Sequence, residues 1–225
     1  MLRFGPDDGP TAVLALPLFE EANRTRAFAV SICRALAGLD VGCVLPDLPG
    51  QGESTLPTER MRLADLRAAF AAVPGTHAVA IRSGALLIDA RPCWMLAPQD
   101  GSALLRELAK VNGGPLAGER VEVAGNLIDR TLLDELAAAS HPRAGGDPVS
   151  TDMVRRDANP NEPQLDPRLR GGGAKRIVRF ASDALAADRT VEGRPLWRRA
   201  EPDNNPALAQ TLAADIAPWI ATCDA

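Results

Sequence analysis

The chain has no tyrosine, and aromatic residues make up only 4% of it. A core must therefore be built from Ala, Leu, Val and Ile. There are two histidines, His77 and His141, too few for a His-based metal site, and no metal is expected. The four cysteines (Cys33, Cys43, Cys93, Cys223) form no CxxC pair and sit in apolar or terminal surroundings. They read as small buried hydrophobes in a reducing compartment. No apolar run approaches the ~18–20 residues of a spanning helix. The first apolar run is short and follows Asp7 and Asp8, unlike a signal peptide, so the expected location is cytoplasmic. Net charge is −4, which gives no electrostatic case for nucleic acid. No motif calls for a cofactor.

What is present suits a single domain over 1–225. Apolar runs closed by proline recur. Ala12–Leu16 ends at Pro17, Val41–Leu45 at Pro46, and Cys93–Ala97 at Pro98. Each reads as a buried strand whose ladder the proline ends. Between the first two, Phe28, Ile32, Leu36 and Leu39 mark a helix face, with Asn23 or Thr25 as cap and Gly38 at its end. Strand, helix, strand is a βαβ unit of a parallel sheet. Thr58 is the expected cap of a helix carrying Leu63, Leu66, Phe70 and Val73. Ser102 is the expected cap of another, with Leu104, Leu105, Leu108 and Val111. Further elements are a short strand at Glu119–Val123, a helix at Ile128–Ala139, a strand at Arg176–Ala181 and a last helix opened by Pro206. The fold class is α/β, a mostly parallel doubly wound sheet.

From His141 to Arg176 the pattern stops. This stretch holds five Pro, five Gly and almost no periodic apolar residues. It buries too little to offset its chain entropy, and a disordered insertion is expected over 141–176. Its phrase LDPRLRGGG resembles the translated form of a palindromic bacterial repeat element. His141 lies on its edge and is suspect as a catalytic residue for that reason.

The organising stretch is Ala78–Ile88, AVAIRSGALLI. It reads as a buried strand, a tight turn at Arg82-Ser83-Gly84 and a helix starting at Ala85. A sharp strand-to-helix corner with Ser and Gly is where a nucleophile can be presented. A second glycine loop, DLPGQGES (Asp47–Ser54), follows the strand ending at Leu45. Gly50 and Gly52 there give a tight turn whose backbone amides could face inward.

These features together resemble the α/β-hydrolase family. DLPGQGES looks like its D-x-P-G-x-G-x-S loop, AIRSG (Ala80–Gly84) sits at its nucleophile elbow, and FASD (Phe180–Asp183) falls where its acid leaves a later strand. A closer similarity is to the hydrolase-like proteins encoded with exosortase A systems, which serve exopolysaccharide and protein-sorting gene clusters. PLFEEANRTR (Pro17–Arg26) resembles their PPFxEExNKxR loop, and AIRSGALLI their GLRLGALLA elbow. WMLAPQDGSALLREL (Trp94–Leu108) approximates WxPxxxGxxxLxxxLR, and PLWRRAEPDNNPAL (Pro195–Leu208) resembles their tail. The resemblance implies a truncated α/β-hydrolase-like domain. It also implies a partner that is a small acyl or anionic ligand, or a protein of such a sorting system.

The departures bear on chemistry. In the frame G-x-S-x-G, Arg82 holds the nucleophile position, and a permanent cation cannot attack a carbonyl. Ser83 lies one residue later. Asp183 could orient an imidazole, but no His follows His141 to serve as base. The catalytic candidates are thus Ser83 and Asp183, with Gly50, Gly52 and Gly84 in the turn and oxyanion regions. The plainer readings are a turn residue for Ser83 and a cap or ion-pair partner for Asp183. Arg82 is either a structural ion pair with Glu20, Glu21 or Asp183, or an anion site at a helix start. Two functions stay open: a non-catalytic hydrolase-fold binding protein, and an active serine ester or thioester hydrolase using Ser83.

Overall fold

The computed structural model describes residues 1–88, 90–142, 173–199 and 201–224. After a short edge strand, β1 (Leu2–Phe4), the apolar runs become β2 (Thr11–Ala15), β3 (Gly42–Leu45), β4 (His77–Ile81) and β5 (Cys93–Leu96). Every residue of β2 to β5 is buried, as expected of parallel strands covered on both faces. A hairpin follows, β6 (Arg120–Val123) with β7 (Asn126–Asp129), and then β8 (Lys175–Phe180) and β9 (Arg189–Val191). The main sheet runs β1-β3-β2-β4-β5-β8-β9, with only β1 antiparallel to its neighbour.

Alternation along the strands supplies two cores. Leu14, Val79, Ile81, Trp94 and Leu96 face α1 (Glu20–Ala37) and α5 (Pro206–Cys223). Val13, Ala78, Ala80, Cys93 and Met95 face α2 (Leu63–Ala71), α3 (Gly101–Val111) and α4 (Arg130–Ala138). The sheet is therefore doubly wound, as the sequence pattern indicates. The chain leaves β2 towards β3 and β4 towards β5, in opposite directions, so the winding of the sheet reverses between β2 and β4. Among the described residues, no helix is long and apolar enough to cross a membrane.

Several local expectations are corrected. No helix starts at Ala85; Arg82–Leu87 is a 3₁₀ helix. Residues 82–92 must bring the chain back along the sheet to the start of β5. A 3₁₀ helix rises about 2.0 Å per residue against about 1.5 Å for an α-helix, so it covers the span with fewer residues. α1 starts at Glu20, ahead of Asn23 and Thr25, and Thr25 instead donates its hydroxyl to the Glu21 carbonyl inside the helix. Thr58 opens a separate 3₁₀ turn (Thr58–Arg60), and α2 begins after the extended Arg62. Asp100, not Ser102, is the cap position of α3. β7 takes residues expected in the next helix, because Val121 pairs with Ile128 across the hairpin.

The expected insertion, 141–176, lies mostly outside the described residues, but its ends do not. The His141 amide donates to Asp100 Oδ1 at the carboxyl end of β5. Gly173 lies against Pro92 at the start of β5, and Lys175 and Arg176 belong to β8. Arg176 is fixed by Asp215 of α5, 2.8 Å away. The described ends therefore sit at opposite edges of the sheet.

Candidate functional site

The corner after β4 is built by close approach. A Cβ on Gly84 would meet the Ala15 and Leu16 carbonyl oxygens at 2.5 and 2.6 Å, so only glycine fits beside the end of β2. That approach brings the Ser83 hydroxyl to the neighbouring loop, where its Oγ accepts the Leu18 amide hydrogen at 2.9 Å. Ser83 has 0% exposure. Its hydroxyl satisfies a buried backbone donor instead of facing a substrate space.

Arg82 takes the exposed side of the corner. Its φ is 53°, and Phe19 (59°) and Ala97 (47°), which follow the adjacent β2 and β5, also have positive φ. Such conformations cost about 1–3 kcal/mol each and tend to gather at functional edges. The Arg82 guanidinium lies 5.1 Å over the Trp197 ring. It donates to both Glu21 oxygens at 3.3 Å and to Glu107 Oε2 at 2.6 Å. Of the carboxylates anticipated for Arg82, Glu21 is the partner, and Glu107 of α3 joins it. Burial pushes the Glu21 carboxyl above its usual range, against the pull of Arg82. One cation thus already answers two carboxylates.

Asp183 lies after β8, where Oδ2 accepts from Arg179 at 2.8 Å and Oδ1 from the Leu185 amide. Burial alone would raise its pKa; the bonds from Arg179 and Leu185 outweigh that and hold it below the ordinary value. Its carboxylate is committed to an arginine. Gly50 and Gly52 do have positive φ, but they line a separate small hollow with Phe19, Asn23 and Met61. The Gly50 amide donates to Ser54 Oγ and the Gln51 amide to the Leu48 carbonyl. So the structure brings Arg82 and Asp183 to one cleft, places Ser83 beneath it, and leaves the Gly50-Gly52 loop elsewhere.

That cleft, about 410 Å³, opens at the carboxyl ends of β4, β5 and β8. The sequence reading missed much of its wall: Gln99, Arg106, Glu107, Trp197 and Arg198, with His141 entering as well. The His141 ring lies with Nδ1 2.8 Å from the Pro142 carbonyl and Nε2 3.9 Å from Asp100. Among the described residues, no group of His, Cys, Asp and Glu could hold a metal ion. Arg106 and Arg198 are exposed and have no ion pair among the described residues.

No family profile matches the chain, and no curated protein matches its sequence. Solved structures do match it. Est1E from Butyrivibrio proteoclasticus, solved with ferulic acid bound, aligns with 97% of this chain and 90% of its own, at a TM-score of 0.55 and 11% identity. A protein of Agrobacterium vitis S4 named as a hydrolase aligns with 59% of this chain, at a TM-score of 0.46 and 17% identity. This chain covers 63% of the Agrobacterium protein's length. The fold is that of the α/β hydrolases. In a hydrolase fold the corner after the central strand is the nucleophile's place. Arg82 is the first residue after β4 in this chain and has a positive φ.

Proposed function

We propose that this hydrolase-fold chain is a binding protein with impaired or no catalysis, which takes a small anionic ligand in the cleft between β4, β5 and β8. The observation that carries this is Arg82. It occupies the strained corner where a nucleophile belongs, and Glu21, Glu107 and Trp197 hold it there. Because Arg82 is already neutralised, the anion falls to Arg106 and Arg198 at the cleft rim, which form no ion pair among the described residues, although Arg198 also acts on Asp183. The resemblance of the Pro17–Arg26 loop and of the corner supports a place in an exosortase-linked exopolysaccharide or protein-sorting system, in the cytoplasm. The expected single domain over 1–225 is kept as part of this reading.

The second reading is a serine ester or thioester hydrolase using Ser83. Its support is the position of Ser83 at the carboxyl end of β4, next to Arg82. Asp183, the acid of that reading, is bonded to Arg179.

The binding reading is tested by thermal denaturation of the full chain in phosphate and in acetate, at constant ionic strength. The melting temperature should rise with anion concentration, and the rise should vanish in the Arg106→Ala/Arg198→Ala double variant. An unchanged melting temperature in both anions would contradict it.

A further inference from the structure

Asp100 stands at the N-cap position of α3, where an aspartate ordinarily accepts from the first free amides of the helix. This one makes no such bond. Its Oδ1 turns instead to the His141 amide, 2.9 Å away, and both residues line the cleft. The His141 ring stands beside it, with Nε2 3.9 Å from the same oxygen, too far for a hydrogen bond. Nδ1 of the ring lies 2.8 Å from the Pro142 carbonyl oxygen, which only accepts, so in the neutral imidazole the ring hydrogen is on Nδ1. Nε2 is then an acceptor, and two acceptors stand across a gap that neither fills. Both side chains reach the cleft surface, Asp100 at 34% exposure and His141 at 11%. The group that answers both, one of them an anion, is a cation with diverging N–H bonds, as in a primary ammonium.

The same side of α3 carries the opposite charge further on. Asp100, Ala103 and Arg106 follow at intervals of three, which sets them along one side of the helix, and all three line the cleft. Arg106 lies about 9 Å beyond Asp100 along the helix axis. Arg198 enters the cleft from the segment before α5. The other charges of the cleft are paired, Arg82 with Glu21 and Glu107 and Arg179 with Asp183. Among the described residues, Arg106 and Arg198 have no ion pair, and Asp100 has only its contact with His141. The strip along α3 therefore offers a carboxylate at one end, a small apolar side chain in the middle and a cation at the other end.

We infer that the ligand of the cleft is zwitterionic, an amino acid whose primary ammonium and carboxylate stand several bonds apart. Its ammonium lies between Asp100 and His141 Nε2, its methylenes run along Ala103, and its carboxylate meets Arg106, with Arg198 as the second cation. This deepens the binding reading above and rests on it, since the anion of that reading is the carboxylate end of this ligand. No bond is made or broken.

The test is calorimetric titration of the full chain with 6-aminohexanoate, hexanoate and hexylamine, at neutral pH and constant ionic strength. 6-Aminohexanoate should bind at least about tenfold more tightly than either probe with a single charge, because only it makes a charge-assisted hydrogen bond at both ends. Asp100→Asn keeps an oxygen for the His141 amide and removes the charge. It should weaken 6-aminohexanoate about tenfold and leave hexanoate unchanged. A merely structural Asp100 would not discriminate between the two. Arg106→Ala, at an exposed position, should weaken 6-aminohexanoate and hexanoate and spare hexylamine. Equal affinity of the native chain for 6-aminohexanoate and hexanoate, with both weakened in Arg106→Ala, overturns the zwitterion and leaves anion binding standing. No binding of the three probes, with a melting temperature that still rises in phosphate, does the same. No binding, with no rise in phosphate or acetate, overturns both.

Discussion

Ser83 and Asp215 show how single residues hold the two opposite ends of the strands. The Ser83 hydroxyl is the acceptor of a buried amide, so Ser83→Ala strands the Leu18 N–H. The expected cost is about 1–3 kcal/mol, read from urea unfolding. A serine that served only chemistry would be replaced without that loss. Asp215, at 5% exposure, accepts from Trp94 Nε1 at 2.8 Å and pairs with Arg176 and Arg189. Burial would raise its pKa, but the bonds from Arg176, Trp94 and Arg189 bring it down to about 2. A carboxylate depressed on folding stabilises fully above its unfolded pKa of about 3.9, and the contribution is lost as pH falls through about 2. Asp215→Asn should cost about 1–2 kcal/mol at neutral pH, because it removes the counter-charge of arginines that stay partly solvated. It should also flatten the fall in stability between about pH 4 and pH 2. Equal acid sensitivity in the variant and the native chain would show that other groups govern that range.

At the scale of elements, α5 is the main cover for the α1 side of the sheet, with Leu212 and Ile216 fully buried in that core. Leu212→Ala should therefore cost about 2–5 kcal/mol in denaturant unfolding. This helix was legible in the sequence, with Pro206 at its start and an apolar stripe along it. So were β2 to β5, because strands buried on both faces read as continuous apolar runs. The elements that stayed hidden are β1, β7 and β9. They are short, and β1 and β9 lie at the sheet edges, where neither alternation nor continuous hydrophobicity is imposed. The 3₁₀ helix at Arg82–Leu87 resembles in sequence the start of a longer helix, because ALL continues an apolar run. The constraint that shortens it, the return to β5, is tertiary. The site was legible at its corner and at Asp183. Arg82 could be placed from the local strand and turn, but Glu107, Gln99, Trp197 and Arg198 reach the cleft from α3, the loop after β5 and the segment before α5. No spacing in the chain links them.

At the scale of the whole molecule, the two edges of the sheet decide what residues 143–172 must do at their ends. His141 is tied to Asp100 at the carboxyl edge, and Gly173 sits by Pro92 at the opposite one. An extended chain spans at most about 3.3–3.6 Å per residue, so joining Pro142 directly to Gly173 leaves too little reach and should prevent β8 from docking. Replacing 143–172 with a flexible linker of about twelve Gly and Ser residues should keep the melting temperature within a few degrees. Loss of folding with the linker would mean that the segment contributes to the core.

The serine is the sharpest divide between a binding cleft and an active one. Intact-protein mass should be recorded after incubating the native chain and Ser83→Ala with a fluorophosphonate that phosphonylates activated serines. The Ser83 hydroxyl is buried and bonded to the Leu18 amide, with no base bonded to it among the described residues, and the binding reading expects no added mass in either protein. One phosphonyl adduct on the native chain, absent from Ser83→Ala, would show that the corner still attacks and would contradict the binding reading.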